Sequence, residues 1–291
     1  MALLALILVT AVWGVTFVQV KDAVEIYPLF GFLAIRFAIA AVTLAGPAAP
    51  RLRSLGRRGA AEAALLGLLL ASGYALQTAG LQRTTVSSTG FVTGLYVVLT
   101  PLIALILFRA RISAAAWAGV GLATVGLAML SGIHAGSAAG DLLVLGGAAV
   151  YSLQIVLMER YAPAYDPLAL TLVEMLAALA GLAAVAAALG ELDAAPPGWT
   201  VWGALIVTGV FASAFAYLVQ SWAQRRTSAT RTALVFTLEP VFAGIFGYAL
   251  AGDRLGAVGW SGCAVILAGI VLAEPAAAGV LARLVRKPAR A

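Results

Sequence analysis

The chain reads "YALQTAGLQRTT" from Tyr74 to Thr85 and "YLVQSWAQRRTS" from Tyr217 to Ser228. Tyr74 returns as Tyr217, Gln77 as Gln220, Thr78 as Ser221, Arg83 as Arg226 and Thr84 as Thr227, all in one register. Trp117, Gly119 and Gly126 return in the same register as Trp260, Gly262 and Gly269, and "AVW" at 11–13 resembles "AVY" at 149–151 in a slightly shorter one. Chance matching of apolar runs does not predict a shared tyrosine, glutamine, arginine and tryptophan. The chain therefore reads as two copies of one unit.

The 291 residues are 63% hydrophobic and 10% charged, where soluble domains carry about 25% charged residues; the mean hydropathy is +1.04. Apolar runs of about 20 residues, enough to cross a bilayer, recur along the chain. The short alternating segments of a β-barrel do not. The expected fold class is an all-α polytopic membrane protein. Cutting at charges and at Pro and Gly clusters places ten cores at 2–20, 29–47, 62–81, 87–108, 114–133, 141–158, 167–189, 199–223, 229–250 and 256–274. Residues 1–20 lack the basic start and small-residue cleavage site of a signal peptide, so they are read as the first span.

The repeat then assigns residues 1–135 to a first five-helix unit and 138–275 to a second, followed by a basic tail, 276–291. Five spans are odd, so the second unit enters the membrane upside down. Ten transmembrane helices in an inverted 5+5 arrangement around a central cavity are characteristic of secondary transporters. With a cytoplasmic N-terminus, the inner loops and tail hold fourteen of the eighteen Lys and Arg, among them Arg51, Arg58, Arg160 and Arg226. The outer loops hold Lys21, Arg83 and Arg254, and Arg36 lies inside a span. That asymmetry places both termini in the cytoplasm of a bacterial-type inner membrane.

Several function classes fall away. One cysteine, Cys263, and one histidine, His134, build no internal disulfide and no His/Cys metal cluster. No H-E-x-x-H or G-x-S-x-G occurs, and the His, Ser and Asp of "SGIHAGSAAGD" at 131–141 sit in a short connector. The expectation is a protein that is not an enzyme, with no cofactor and no metal. The net charge of +6 sits in topology-setting loops and is not a nucleic-acid footprint. The expected partners are a small-molecule substrate and the lipid bilayer, and a monomer is compatible with the sequence. Gly90 and Gly94 form a G-x-x-x-G, read as tight packing within the fold.

Polar residues recur at helical spacing. Tyr74, Gln77 and Thr78 share one helix face, as do Tyr217, Gln220 and Ser221, with Gln224 one turn on. Tyr151 and Gln154 are matched in span one by Trp13 and Thr16. Such faces turn away from lipid. They line either an aromatic, polar cavity for a small solute or plain interhelical hydrogen bonds; the recurrence in both halves favours the cavity. Trp199, Trp202 and Tyr27 suit an interfacial role.

Arg36, Glu174 and Glu239 are charges inside spans, where ionisable groups face a cavity or a partner. Arg36 and Glu174 occupy nearly matching repeat positions, and a long Arg side chain just spans the difference in depth. Glu239 has three open roles: acceptor for a neighbouring helix, receiver of a substrate ammonium, or proton carrier. Pro101 and Pro240 lie deep within spans, close to the repeat register but not in it. Each frees a carbonyl one turn earlier, which makes them candidate kinks of an inner gate.

"AVWGVTFVQVK", "AIRFAIAAVTL" and "LEPVFAGIFGY" together resemble the signatures of the drug/metabolite transporter superfamily, in the branch of ten-helix exporters built from two EamA-type repeats. The resemblance covers residues 2 to 274. It implies a cavity lined by spans one, three, four, six, eight and nine, which adds Tyr96 and Phe236 to the candidate residues. It also implies export of amino acids and related metabolites, as in bacterial exporters with broad or aromatic preference. The family's tryptophan–glycine motif falls on Trp13 and Gly14, its arginine on Arg36 and its Glu-Pro motif on Glu239 and Pro240. Thr100-Pro101 stands in the first half, which departs from a two-carboxylate mechanism. Export by alternating access, favoured as movement down the solute gradient, is the expectation. A multidrug or other metabolite exporter, proton-coupled or not, is the alternative on the same scaffold.

Overall fold

The computed structural model describes residues 1–131, 137–192, 195–246 and 256–273. His134, Arg254 and the basic tail lie outside them. The described residues form thirteen α-helices: α1 Ala2–Ile26, α2 Leu29–Ala48, α3 Gly56–Leu81, α4 Val86–Gly94, α5 Tyr96–Phe108, α6 Ala114–Ser131, α7 Ala138–Tyr161, α8 Pro167–Ala188, α9 Gly198–Ile206, α10 Ala216–Gln224, α11 Ala229–Phe236, α12 Leu238–Phe246 and α13 Ala257–Ala273. A π-helical segment, Val207–Phe215, joins α9 to α10.

Seven helical stretches are long and apolar enough to cross a membrane, and α6 and α13 supply two shorter apolar helices. One of the seven, Leu29–Leu81, has 53 residues. A straight helix of that length would run about 80 Å, more than twice a hydrocarbon core of about 30 Å. It is not straight. A 3₁₀ segment, Ala49–Leu55, interrupts it, Gly56 takes φ 61, and both arms pack along the 22-residue α8.

The outer surface is apolar, unlike that of a soluble protein, and polar side chains are mixed into an apolar core. Val42 is 76% exposed and Ile106 73%, while Thr10, Thr171, Glu174, Thr208, Ser213 and Thr232 are fully buried. Apolar side chains face outward because lipid, unlike water, does not penalise them, and polar side chains turn inward to find partners.

Hydrogen bonds define the two ends of the bundle. At one end Arg51 lies 3.7 Å from Asp166, Tyr165 donates to Glu62, the Arg160 guanidinium covers the Phe108 ring and Glu159 accepts from the Ala229 amide. The basic loops thus share this end. At the other, Thr84 and Ser88 donate to Asp141, Gln82 donates to the Val24 carbonyl and Glu191 accepts from the Phe30 and Gly31 amides.

Local structure carries the repeat. Thr85 caps α4 through the Ser88 amide and Ser228 caps α11 through the Arg231 amide. One turn on, Thr89 and Thr232 donate back to the carbonyls of those two caps. Both helices then break, at Leu95 (ψ −10) and Thr237 (ψ −5), positions that nearly coincide when the halves are aligned. The breaks thus follow the repeat more closely than the prolines behind them do. Pro101 lies within α5, while Pro240 is in the first turn of α12, where a missing amide costs no hydrogen bond. The α6–α13 contact is built from small residues. A β-carbon on Gly119 would meet the Gly269 carbonyl oxygen at 2.6 Å, and one on Gly262 would meet that of Gly126 at 2.7 Å.

Candidate functional site

Where the two sets of polar faces meet, eighteen side chains line a cavity of about 680 Å³, mouth included. Its walls come from α1, α2, α3, α4, α5, α7, α10, α11 and α12. The lining continues along α1 to Val20 and along α3 to Leu81, away from the basic end.

Trp13, Thr16, Tyr74, Gln77, Thr78, Tyr96, Tyr151, Gln154, Tyr217, Gln220 and Phe236 all line this space, with Arg36 and Glu239. Ser221, one residue and so about 100° around α10 from Gln220, is fully buried outside the lining. Glu174 also lies behind the wall. Pro101 and Pro240 do not line the cavity. Phe17, Val20, Leu81, Thr93 and Ile155 line it without having been singled out in the sequence. Helical spacing extended one step from Trp13 and Tyr74, to 17 and 20 and to 81, finds three of these.

The aromatic wall is built from tilted and edge-to-face rings. Trp13 meets Tyr217 at 5.8 Å and Phe236 at 4.8 Å between centroids, and Tyr74 meets Tyr151 at 5.5 Å. Tyr74 and Tyr217, repeat mates, touch each other: the Tyr217 hydroxyl donates to that of Tyr74 at 3.2 Å. Opposite them, Tyr151 donates to Gln77, which donates to Thr93.

Arg36 is held rigidly. Its Nε donates to Ser213 Oγ at 2.8 Å, its Nη2 donates to the Tyr74 hydroxyl at 2.9 Å and reaches the Ala212 carbonyl at 3.4 Å, and the guanidinium stacks 4.3 Å above the Tyr74 ring. The reach from Arg36 to Glu174 that the sequence left open is not used: Arg36 bonds Ser213 and Tyr74, and Glu174 bonds Gln154. The π-helical segment supplies the reason. Its wider turn presents the Ala212 carbonyl and Ser213 to the interior, and the Trp13 indole N–H also donates to Ala212, at 2.8 Å. Such segments are rare and mark functional sites; nothing in "VTGVFASAF" announced one.

Glu239 projects from the start of α12 beside the Tyr96 hydroxyl, which finds no partner in good hydrogen-bond geometry. Among the described residues the ion pairs are Arg51–Asp166 and Arg58–Glu62. Arg36 and Glu239 therefore line one cavity without forming a direct ion pair. Among the described residues no three His, Cys, Asp or Glu side chains gather as a metal site.

The sequence profile of the EamA-like transporter family matches this chain twice, over residues 1–132 and 138–274. The chain belongs to the EamA-like transporter family. An uncharacterised transporter from Archaeoglobus fulgidus is 31% identical over 92% of this chain and 84% of its own length. The uncharacterised inner membrane transporter YedA of Escherichia coli K12 is 27% identical over 92% and 89%. A crystal structure shares the fold with a TM-score of 0.80 at 20% identity, covering 95% of this chain and 98% of its own. As an EamA-like protein the chain is a transporter of the drug/metabolite superfamily, multi-pass in a membrane.

Proposed function

We propose that this EamA-like protein exports amino acids, of broad or aromatic preference, and related small metabolites by alternating access across the inner membrane. The observation that carries this reading is the pairing of Arg36 and Glu239 in one aromatic cavity, unpaired with each other. A guanidinium and a carboxyl set apart are complementary to the carboxylate and ammonium of a zwitterion. The rings between them suit an apolar or aromatic side chain. The rigid anchoring of Arg36 lowers the entropy cost of binding.

The architecture proposed is ten spans in an inverted 5+5 repeat, with both termini and the basic end of the bundle in the cytoplasm. Support comes from the contacts themselves. Gly119–Gly269 and Gly126–Gly262 exchange places when the two halves are swapped, as a two-fold relation requires. The Trp13–Tyr217 and Tyr74–Tyr151 ring pairs exchange in the same way. Movement down the solute gradient is the favoured mode. An exporter of drugs or other metabolites is the second reading, favoured by the seven aromatic side chains among the eighteen that line the cavity.

Reconstituted in liposomes, the protein is expected to take up labelled phenylalanine saturably, with competition from other amino acids. Arg36→Lys, which loses the planar fork, is expected to weaken uptake at least about tenfold. Sealed vesicles holding folded protein that transport no amino acid would transfer the assignment to the drug/metabolite reading.

A further inference from the structure

Behind the cavity wall, Glu174 is fully buried on α8. Its Oε1 accepts one hydrogen bond, from the neutral amide of Gln154 at 2.8 Å, and its Oε2 has no partner. An ionised carboxylate so placed carries a desolvation cost that one amide does not offset.

The buried charged and titratable groups on the surrounding elements are engaged elsewhere, and Arg53 and Arg57 are exposed at the basic end. Arg36 on α2 bonds Ser213 and Tyr74; Tyr74 on α3 and Tyr217 on α10 bond each other; Tyr151 on α7 bonds Gln77. Toward the basic end, Arg51 faces Asp166, Glu62 faces Arg58 and Tyr165, Glu159 caps α11 and Arg160 covers Phe108.

From Glu174 a chain of amides leads back to the cavity and on toward the basic end. Gln220 donates to Gln154 Oε1 at 3.1 Å and to Gln224 Oε1 at 2.8 Å, and Gln224 donates to the Ile155 carbonyl at 2.8 Å. Gln154 and Gln220 line the cavity. Together these bonds tie α7 to α10 on the cavity's basic side.

We propose that Glu174 is a proton-binding site whose occupancy is transmitted through Gln154 and Gln220 to the cavity floor and to the α7–α10 seam. Complete burial means that the proton exchanges with water only when that seam opens. Proton exchange and opening toward the basic end are therefore one event. With the carboxyl ionised, Gln154 must keep its N–H on Glu174 and its carbonyl on Gln220; with a proton bound, that constraint is lifted and the seam loosens. Proton occupancy sets the conformational equilibrium here; it does not require protons to cross with the solute. The inference rests on the transport reading, and its test is chosen to separate the two.

The test is an infrared pH titration of the purified protein, reading the carbonyl stretch of protonated carboxyls, beside phenylalanine binding over the same pH range. In the difference between wild-type and Glu174→Gln spectra a band that grows as pH falls is expected, and the same difference is expected when both proteins also carry Glu239→Gln. Phenylalanine affinity is expected to change at least about fivefold across that titration, and Glu174→Gln is expected to remove the part of the change that follows the Glu174 band, leaving only what Glu239 in the cavity contributes. If Glu174→Gln does not fold, Glu174→Asp assigns the band by shifting it. The proposal is overturned if no pH-dependent band belongs to Glu174, or if the band titrates while affinity stays constant. A titrating band in a protein that binds no phenylalanine would count for the proton site and against the amino-acid reading.

Discussion

At Gly14 a β-carbon would fall 2.8 Å from both the Ala243 amide nitrogen and the Glu239 carbonyl oxygen. Those are backbone atoms, so α1 and α12 would have to part. The spacing explains why a glycine follows Trp13: it lets α1 lie against the helix that carries Glu239. Gly14→Ala is expected to destabilise the protein by about 1–3 kcal/mol, the range for overpacking a filled interior. A lower melting temperature in detergent, with a parallel loss of uptake, is the expected result. An unchanged melting temperature would mean the two helices separate freely. The same scale explains Ser221. Its spacing from Tyr217 is helical, yet helix phase turns it out of the wall, a distinction of about 100° that sequence spacing blurs.

Among elements, α4–α5 and α11–α12 are a pair of interrupted helices. Their first halves are pinned by matching caps, and their second halves start after breaks with almost the same backbone conformation. Pro240 and Pro101 follow the breaks at different distances, so they protect the interruptions without defining them. The double variant Pro101→Ala, Pro240→Ala is expected to fold, because proline removal restores amides, and to slow transport several-fold by stiffening both helices. An unaltered transport rate would remove the prolines from the gate. The π-helical segment belongs to this scale too, since its wide turn presents the carbonyl that both Trp13 and Arg36 use.

For the whole molecule, the contacts sort the loops into two ends, and the proposed orientation, with the basic end in the cytoplasm, rests on the charge asymmetry. In a Cys263→Ala background, an impermeant thiol reagent outside the cell is expected to label Ser137→Cys and to spare Ser54→Cys, both exposed positions. The reverse pattern would invert the orientation and make the proposed export direction untenable.

Much of this protein was written in residue order. The apolar runs, the repeat and the helical spacing of Trp13, Tyr74, Gln77, Tyr151, Gln154 and Tyr217 are periodic signals. Periodicity survives in one dimension because lipid favours turning the polar side chains of a helix to its inner face. What only the tertiary structure decided is which inner-facing groups meet. Arg36 and Glu174 match in sequence, yet Arg36 faces the cavity with Ser213 and Tyr74 as partners, while Glu174 sits behind Gln154. That choice depends on helix phase, on a π-helical turn and on glycine contacts below 3 Å, all distances between elements far apart in the chain. Such distances follow from packing, which no single stretch of sequence contains.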